Sequence, residues 1–409
     1  MQEKNWRKFP LLFNLYIAQS IPMSFFSTVV PVILRQEHYS LQSIGMLQLL
    51  KLPWILKFIW APMVDDKTAD LRQLRKWIIA SEMFYAFVIL IIGFFSLQTD
   101  FTLILVLLFV AFIASGTQDI ATDAYAILLL KPSERGFGNS IQSAGSFIGT
   151  LFGTGVLLIA YHYFGWSKLV YLLALFVIIA LIPLLLNRKE QNIIKSKPQK
   201  VGLQDVFSFF GQKGAGKRIL LLTFCYSGII GILTMLKPFL VDQGFNVKQI
   251  GFMSGIVGTA CAAISAFVAG YVIKKIGIKK TLFLFVTFTI ISTSYFTYIS
   301  YYIPTLLQNY IGIIAIWSTY GFATVAVYTY AMNHVRSGRE GTDFTLQIVL
   351  THLSSMIIAV LSGKLGDIYG YKGIFRLEVV LSLLTLLIVF YAFPKYRENE
   401  SSRNTDTEV

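Results

Sequence analysis

Long stretches without a charged residue alternate along this chain with short polar connections. Pro10 to Leu34, Phe137 to Trp166, Gly251 to Ile273 and Thr281 to Val335 contain no Asp, Glu, Lys or Arg. Crossing about 30 Å of hydrocarbon takes roughly 20 apolar residues. Lipid offers no partner to an open backbone group, so such stretches must be helices. The last is long enough for two crossings, with Pro304 marking the break. The pattern predicts spans at 10–34, 43–64, 74–97, 101–130, 137–161, 167–187, 219–241, 248–273, 280–300, 304–333, 343–363 and 374–394. The expectation is an all-α integral membrane protein with twelve transmembrane helices. The first apolar stretch exceeds the core of a signal peptide and no small-residue cleavage pattern follows it, so it is read as a retained helix.

Composition agrees, with 55% hydrophobic and only 14% charged residues among 409, where a soluble chain carries about 25% charged. The net charge of +14 would suit nucleic acid, but its placement argues otherwise. About 26 of the 35 Lys and Arg fall in alternate connections and about 5 in the others, the positive-inside asymmetry of a membrane protein with both termini in the cytoplasm. The basic side then meets anionic lipid. Cys225 and Cys261 both fall in predicted spans, which excludes a disulfide framework, and nothing has metal-ligand spacing. No cofactor is called for.

The chain repeats itself. Tyr39-Ser40-Leu41-Gln42-Ser43-Ile44-Gly45 aligns with Phe245-Asn246-Val247-Lys248-Gln249-Ile250-Gly251 at an offset of 206. Phe164-Gly165-Trp166 falls on Tyr369-Gly370-Tyr371, and Glu134-Arg135-Gly136 on Arg339-Glu340-Gly341, at 205. A basic linker at 188–218 separates the copies, so the units are 1–187, 188–218, 219–394 and a tail at 395–409. Two six-helix halves in parallel repeat, with a substrate site between them, resemble the major facilitator fold.

Charges inside spans are the sharpest functional signal, because each costs at least about 2.5–3.5 kcal/mol at the bilayer centre unless it faces a partner or a wet cavity. The second predicted span holds Lys51 and Lys57, the third Glu82, and the fourth Asp119 and Asp123. The two aspartates are four apart and share one helix face, flanked by Gln118 and Thr122. Lys57 and Asp119 lie at matching depth in parallel spans and could pair. Such a pair either handles a substrate charge or a proton, or neutralises itself and fixes packing. Asp123 then lacks a lysine of its own, which favours a proton role. No charge recurs at the equivalent places in the second half. Trp317, Tyr320, Tyr328 and Tyr330 instead line up on the tenth predicted span, as ligand-stacking or as packing residues. His352 is expected to pack against that span. Asp65, with Arg135 as its expected partner in the next basic loop, forms a candidate gate, to which Asp343 is added.

At Ala18-Gln19-Ser20-Ile21-Pro22, Lys51-Leu52-Pro53-Trp54-Ile55-Leu56-Lys57-Phe58-Ile59-Trp60-Ala61-Pro62 and Gln118-Asp119-Ile120-Ala121-Thr122-Asp123-Ala124-Tyr125-Ala126, the chain resembles the AmpG/acetyl-CoA-transporter group. That group includes muropeptide permeases and the RhtX/FptX siderophore importers. Gly138-Asn139-Ser140-Ile141-Gln142 and Gly341-Thr342-Asp343-Phe344-Thr345-Leu346-Gln347 are similar to the siderophore side. The resemblance implies proton-driven uptake of a small-molecule solute by a monomer of the inner membrane. A membrane-embedded transferase is the other class, but the clustered His or Asp it would need near one face is not found.

Overall fold

The computed structural model describes residues 8–30, 52–186 and 200–393. Among these the chain is helical, with no strand. In chain order the helices are α1 (Lys8–Ser24), α2 (Leu52–Leu56), α3 (Ala61–Asp66), α4 (Leu71–Ile92), α5 (Phe101–Leu129), α6 (Arg135–Leu151), α7 (Leu157–Ala180), α8 (Ile182–Leu186), α9 (Leu203–Phe210), α10 (Ala215–Phe224), α11 (Ser227–Asp242), α12 (Val247–Ile250), α13 (Thr259–Ile299), α14 (Leu306–Met332) and α15 (Glu340–Ala392). Phe25–Val29, Phe152–Val156 and Gly251–Gly258 are π-helical, wider turns at which a helix bends.

Seven helical stretches among the described residues are long and apolar enough to cross a membrane. Two of them, Lys248–Ile299 and Glu340–Ala392, hold 52 and 53 residues. As straight rods they would reach about 80 Å, far beyond a bilayer core. Each is broken by a glycine, Gly277 (φ 79°, ψ 162°) and Gly370 (φ 64°, ψ −174°), in a backbone region that only glycine enters freely. At Gly370 the chain doubles back, since Ser362 and Glu378 on either side of it both abut Gly231 of α11. Gly165 has the same conformation (φ 70°, ψ −178°). The match between Phe164-Gly165-Trp166 and Tyr369-Gly370-Tyr371 is therefore one reversal used twice. The matched segment Tyr39–Gly45 lies outside the described residues.

Two expected boundaries change. The span expected at 43–64 is not one regular helix. Its beginning, Lys51 included, lies outside the described residues, and the remainder is α2, a 3₁₀ turn at Lys57–Ile59 and α3. Pro62 is the cause. It has no N–H and its ring would clash with the carbonyl of Phe58, so the helix restarts with Pro62 in its first turn. The span expected to begin at 219 begins at Ala215, and α9 forms inside the linker.

Each half buries its own apolar core. One gathers Phe25, Tyr85, Phe112 and Val177, the other Ile229, Val286, Ile316 and Val389. A third cluster crosses between the halves, joining Leu15, Val64 and Ile120 to Met332, Phe344 and Ile348. It lies at the end of the molecule that carries the basic connections. There α6 and α13 touch along Gly136 and Gly270. A Cβ on Gly270 would overlap the Ser140 hydroxyl and come within 2.8 Å of the Gly136 carbonyl oxygen, so the bare backbone is what allows the halves to close here.

A Cβ on Gly370 would meet nothing within 4 Å, so the cost of Gly370→Ala is backbone strain alone, about 1–3 kcal/mol. Gly363, also open to space but helical, should accept alanine with no loss. Thermal unfolding of the two variants in detergent checks this, and equal melting temperatures would remove the strain account.

Candidate functional site

At the basic end, the first half meets the second through helix termini. The carboxylate of Asp65, in the last turn of α3, accepts from the backbone N–H groups of Gly341 (3.1 Å) and Thr342 (2.6 Å), and so caps the N-terminus of α15. Arg135, at the start of α6, donates to the Met332 carbonyl (2.9 Å) and to Asn333 Oδ1 (3.0 Å), at the C-terminus of α14. An anion thus sits on a helix N-terminus and a cation on a helix C-terminus, the favourable sense for both macrodipoles. Behind Arg135, Asn139 reaches Thr329 Oγ1 at 3.2 Å. The expected Asp65–Arg135 pair is replaced by this arrangement, in which each side chain binds backbone of the opposite half. Asp343 does not cross the seam in its described bonds. It accepts from the backbone N–H of Arg336 (2.8 Å) and from its guanidinium (2.8 and 2.5 Å), which fixes the turn between α14 and α15. In that turn burial, with the nearby Arg218 charge, pushes the His334 imidazole below its ordinary range, leaving a neutral ring beside the Tyr330 carbonyl at 2.7 Å.

Deeper in the seam lies a polar cluster built on α5, whose regular 29-residue run presents Asp119 and Asp123 one turn apart. The 3₁₀ turn enforced by Pro62 delivers Lys57, whose ammonium forms an ion pair with Asp119 and lies 4.8 Å from the Trp54 ring. Gln19 Nε2 donates to the other oxygen of Asp119 at 2.9 Å. Asp123 accepts from the Tyr16 hydroxyl at 2.7 Å and from Gln142 Nε2 at 3.3 Å. Tyr16 and Gln19 are themselves one turn apart on α1. The pairs Tyr16–Asp123 and Gln19–Asp119 therefore run in opposite chain directions, which makes α1 and α5 antiparallel. All of these side chains are nearly or fully buried.

These groups line a cavity of about 190 Å³ that Tyr328, Ile348 and His352 close from the second half. That is smaller than the roughly 300–1,000 Å³ of a site for a drug-sized ligand and holds only a few waters.

The sequence-predicted residues divide as follows. Lys57, Asp119, Asp123 and Tyr328 come together in the cavity wall. Lys51 lies outside the described residues. Gln118 is fully buried, its amide has no hydrogen-bond partner among the described residues, and it is not in the wall. Trp317 and Tyr320 sit apart from the cavity, edge to face at 6.1 Å. Trp317 packs on Gly258, and Tyr320 meets Tyr226 and, across the seam, Phe147 at 5.8 Å. His352, expected to be a packing residue, is in the wall. Tyr16, Gln19 and Gln142 were not singled out. Their signal was available, since Tyr16 and Gln19 are spaced as one helix face in a stretch free of charge.

Comparison with known proteins agrees with this architecture. The sequence model of the Major Facilitator Superfamily matches residues 12–347. The chain is 23% identical over 390 residues to the anhydromuropeptide permease of Escherichia coli (strain K12), covering 93% of this chain and 78% of that one. It is 26% identical over 398 residues to an uncharacterized protein of Haemophilus influenzae, covering 93% of each. The Escherichia coli fucose:proton symporter superimposes with a TM-score of 0.72 at 15% identity, over 94% of this chain and 98% of that one. With a family match over most of its length, on a helical membrane fold with a polar site between two halves, this chain belongs to the Major Facilitator Superfamily and is a multi-pass membrane transporter, not an enzyme.

Proposed function

We propose that the protein is a proton-coupled importer of a medium-sized polar solute, of peptidoglycan-fragment or siderophore type, working by alternating access across the inner membrane. By the positive-inside rule the basic end faces the cytoplasm. The contacts of Asp65, Arg135 and Gly270 therefore close the cytoplasmic side in this conformation. A cavity of about 190 Å³ is too small to hold such a solute, so loading requires the halves to part. Likeness to the anhydromuropeptide permease favours the peptidoglycan-fragment type.

Asp123 carries the proton part of the reading. Beside an ion pair that already satisfies Asp119, it is a buried carboxylate whose described hydrogen-bond partners, Tyr16 and Gln142, are both neutral. As a carboxylate it only accepts. Once protonated it also donates, and its bonds to α1 and α6, two helices along the seam, must rearrange. Loading and release of a proton thereby bear on how the halves meet.

Reconstituted into liposomes preloaded with unlabelled solute, the protein should exchange a labelled anhydromuropeptide. Exchange of a ferri-siderophore alone would move the assignment to that class, and exchange of neither would sink both.

Asp123→Asn keeps an acceptor for Tyr16 but holds no exchangeable proton. Concentration of solute against a gradient should vanish while exchange persists, and accumulation by this variant would place the proton site elsewhere.

Asp119→Asn should behave differently. It strands the buried Lys57 at a cost of about 3–5 kcal/mol, so the yield of folded protein drops, and adding Lys57→Met should restore part of it. A double variant no better than the single would mean that the pair is not what holds these helices.

At the gate, Asp65→Ala removes a helix cap worth about 0.5–2 kcal/mol, so the inward-open share should rise roughly two- to thirtyfold. Asp65→Asn retains an acceptor and should shift it less. Thiol labelling of Ser143→Cys from the cytoplasmic side, with Cys225 and Cys261 replaced by alanine, reads that share. Equal labelling of all three proteins would leave the cap without a gating role.

A further inference from the structure

The segment between the halves is bound into the same closure. Helix α9 lies across the seam. Its Val206 and Phe209 are buried with Leu346 of the second half, and Phe58 of the first half packs against them. On the second-half side the attachment is dense. Arg339 Nε donates to Asp205 Oδ1 at 2.6 Å. The guanidinium of Arg336, already gripped by Asp343, donates to the Asp205 carbonyl at 2.8 Å and to Ser208 Oγ at 2.7 Å. Arg218 donates to the His334 carbonyl at 3.1 Å and lies 5.3 Å from the Phe209 ring. On the first-half side there is one described hydrogen bond, from the Val201 N–H to Asp66 Oδ1 at 3.0 Å.

Asp65 and Asp66 are neighbours at the end of α3 with divided tasks. Asp65 caps α15 directly, whereas Asp66 holds the linker, which in turn holds the turn that begins α15. We infer that the linker segment Val201–Arg218 is a clasp of the cytoplasmic gate, which rides with the second half and lets go of the first half at Asp66 and Phe58 whenever the protein opens inward. The asymmetry of the contacts argues for this direction of release. Several charged or bifurcated bonds tie α9 to Arg336 and Arg339, and the chain continues directly into α10. Toward the first half it has one backbone hydrogen bond and an apolar contact. Strain at the seam therefore opens the Asp66 side first. Asp343 acts here as a positioning residue, since it orients the Arg336 fork that receives Asp205 and Ser208.

This inference rests on the alternating-access reading, and the two are separable. Spin labels on Arg72→Cys and Lys275→Cys, exposed residues of opposite halves, in a chain with Cys225→Ala and Cys261→Ala, report the cytoplasmic separation in nanodiscs. The wild-type background should show a short and a long distance whose ratio responds to pH and solute. A single unresponsive distance would defeat alternating access itself. Asp66→Ala should raise the long-distance share about fivefold, while Asp66→Asn, which still accepts from Val201, should stay near the parent. Arg339→Gln should raise it as well. Because both act on one clasp, the double variant Asp66→Ala/Arg339→Gln should show less than the product of the two effects. If the parent shows two distances and Asp66→Ala leaves their ratio unchanged, or Asp66→Asn shifts it as far as Ala, or the double variant is fully multiplicative, the clasp is wrong and the gate is held by Asp65 and Arg135 alone.

Discussion

A helix starts with N–H groups and ends with carbonyls that have no partner inside it. The second half of this protein brings one end of each kind to the seam, the C-terminus of α14 and the N-terminus of α15, and the first half supplies both partners. Asp65 meets the N–H groups and Arg135 the carbonyl. Neither contact needs a particular side chain on the opposite half, only a helix end at the right place. Such bonds form and break as a rigid body docks and leaves, and no side chain has to be reordered within the second half. They suit a surface that opens repeatedly better than a buried side-chain pair would, because an interior charge that loses its only partner is costly.

The polar cluster depends on that closure. Tyr328, Ile348 and His352 reach the cavity wall because α14 and α15 are held against α5 at the basic end. On the first-half side the same wall is internally satisfied, with Lys57 on Asp119, Gln19 on Asp119, and Tyr16 and Gln142 on Asp123. The first half can therefore keep two buried carboxylates and a lysine together whether or not the second half is present. Only the neutral side of the site, formed by aromatic, aliphatic and imidazole groups, comes and goes.

Pro62 links the two regions. By ending the regular helix it creates the 3₁₀ turn that aims Lys57 at Asp119, and it starts α3, whose last turn presents Asp65 and Asp66 to the gate. One proline thus sets the geometry of both the buried ion pair and the docking edge, over a segment of ten residues from Lys57 to Asp66.

The sequence by itself determined a good deal. Apolar stretches without charge dictate helices because lipid leaves the backbone no alternative, and the repeated Phe/Tyr-Gly-Trp/Tyr turn was legible because Gly165 and Gly370 occupy a conformation that other residues resist. The Lys57–Asp119 pair could be read from depth alone, since a membrane helix has a fixed rise per residue and a charge there seeks an opposite one at its own level. Depth says nothing about rotation, however, so Gln118 could be placed beside the cavity although it points elsewhere, and His352 could be left out although it points in. The partners of Asp65 and Arg135 were beyond the sequence for another reason. They are backbone groups, which every residue possesses, and only the docking of the two halves decides which of them lie exposed at a helix end within reach.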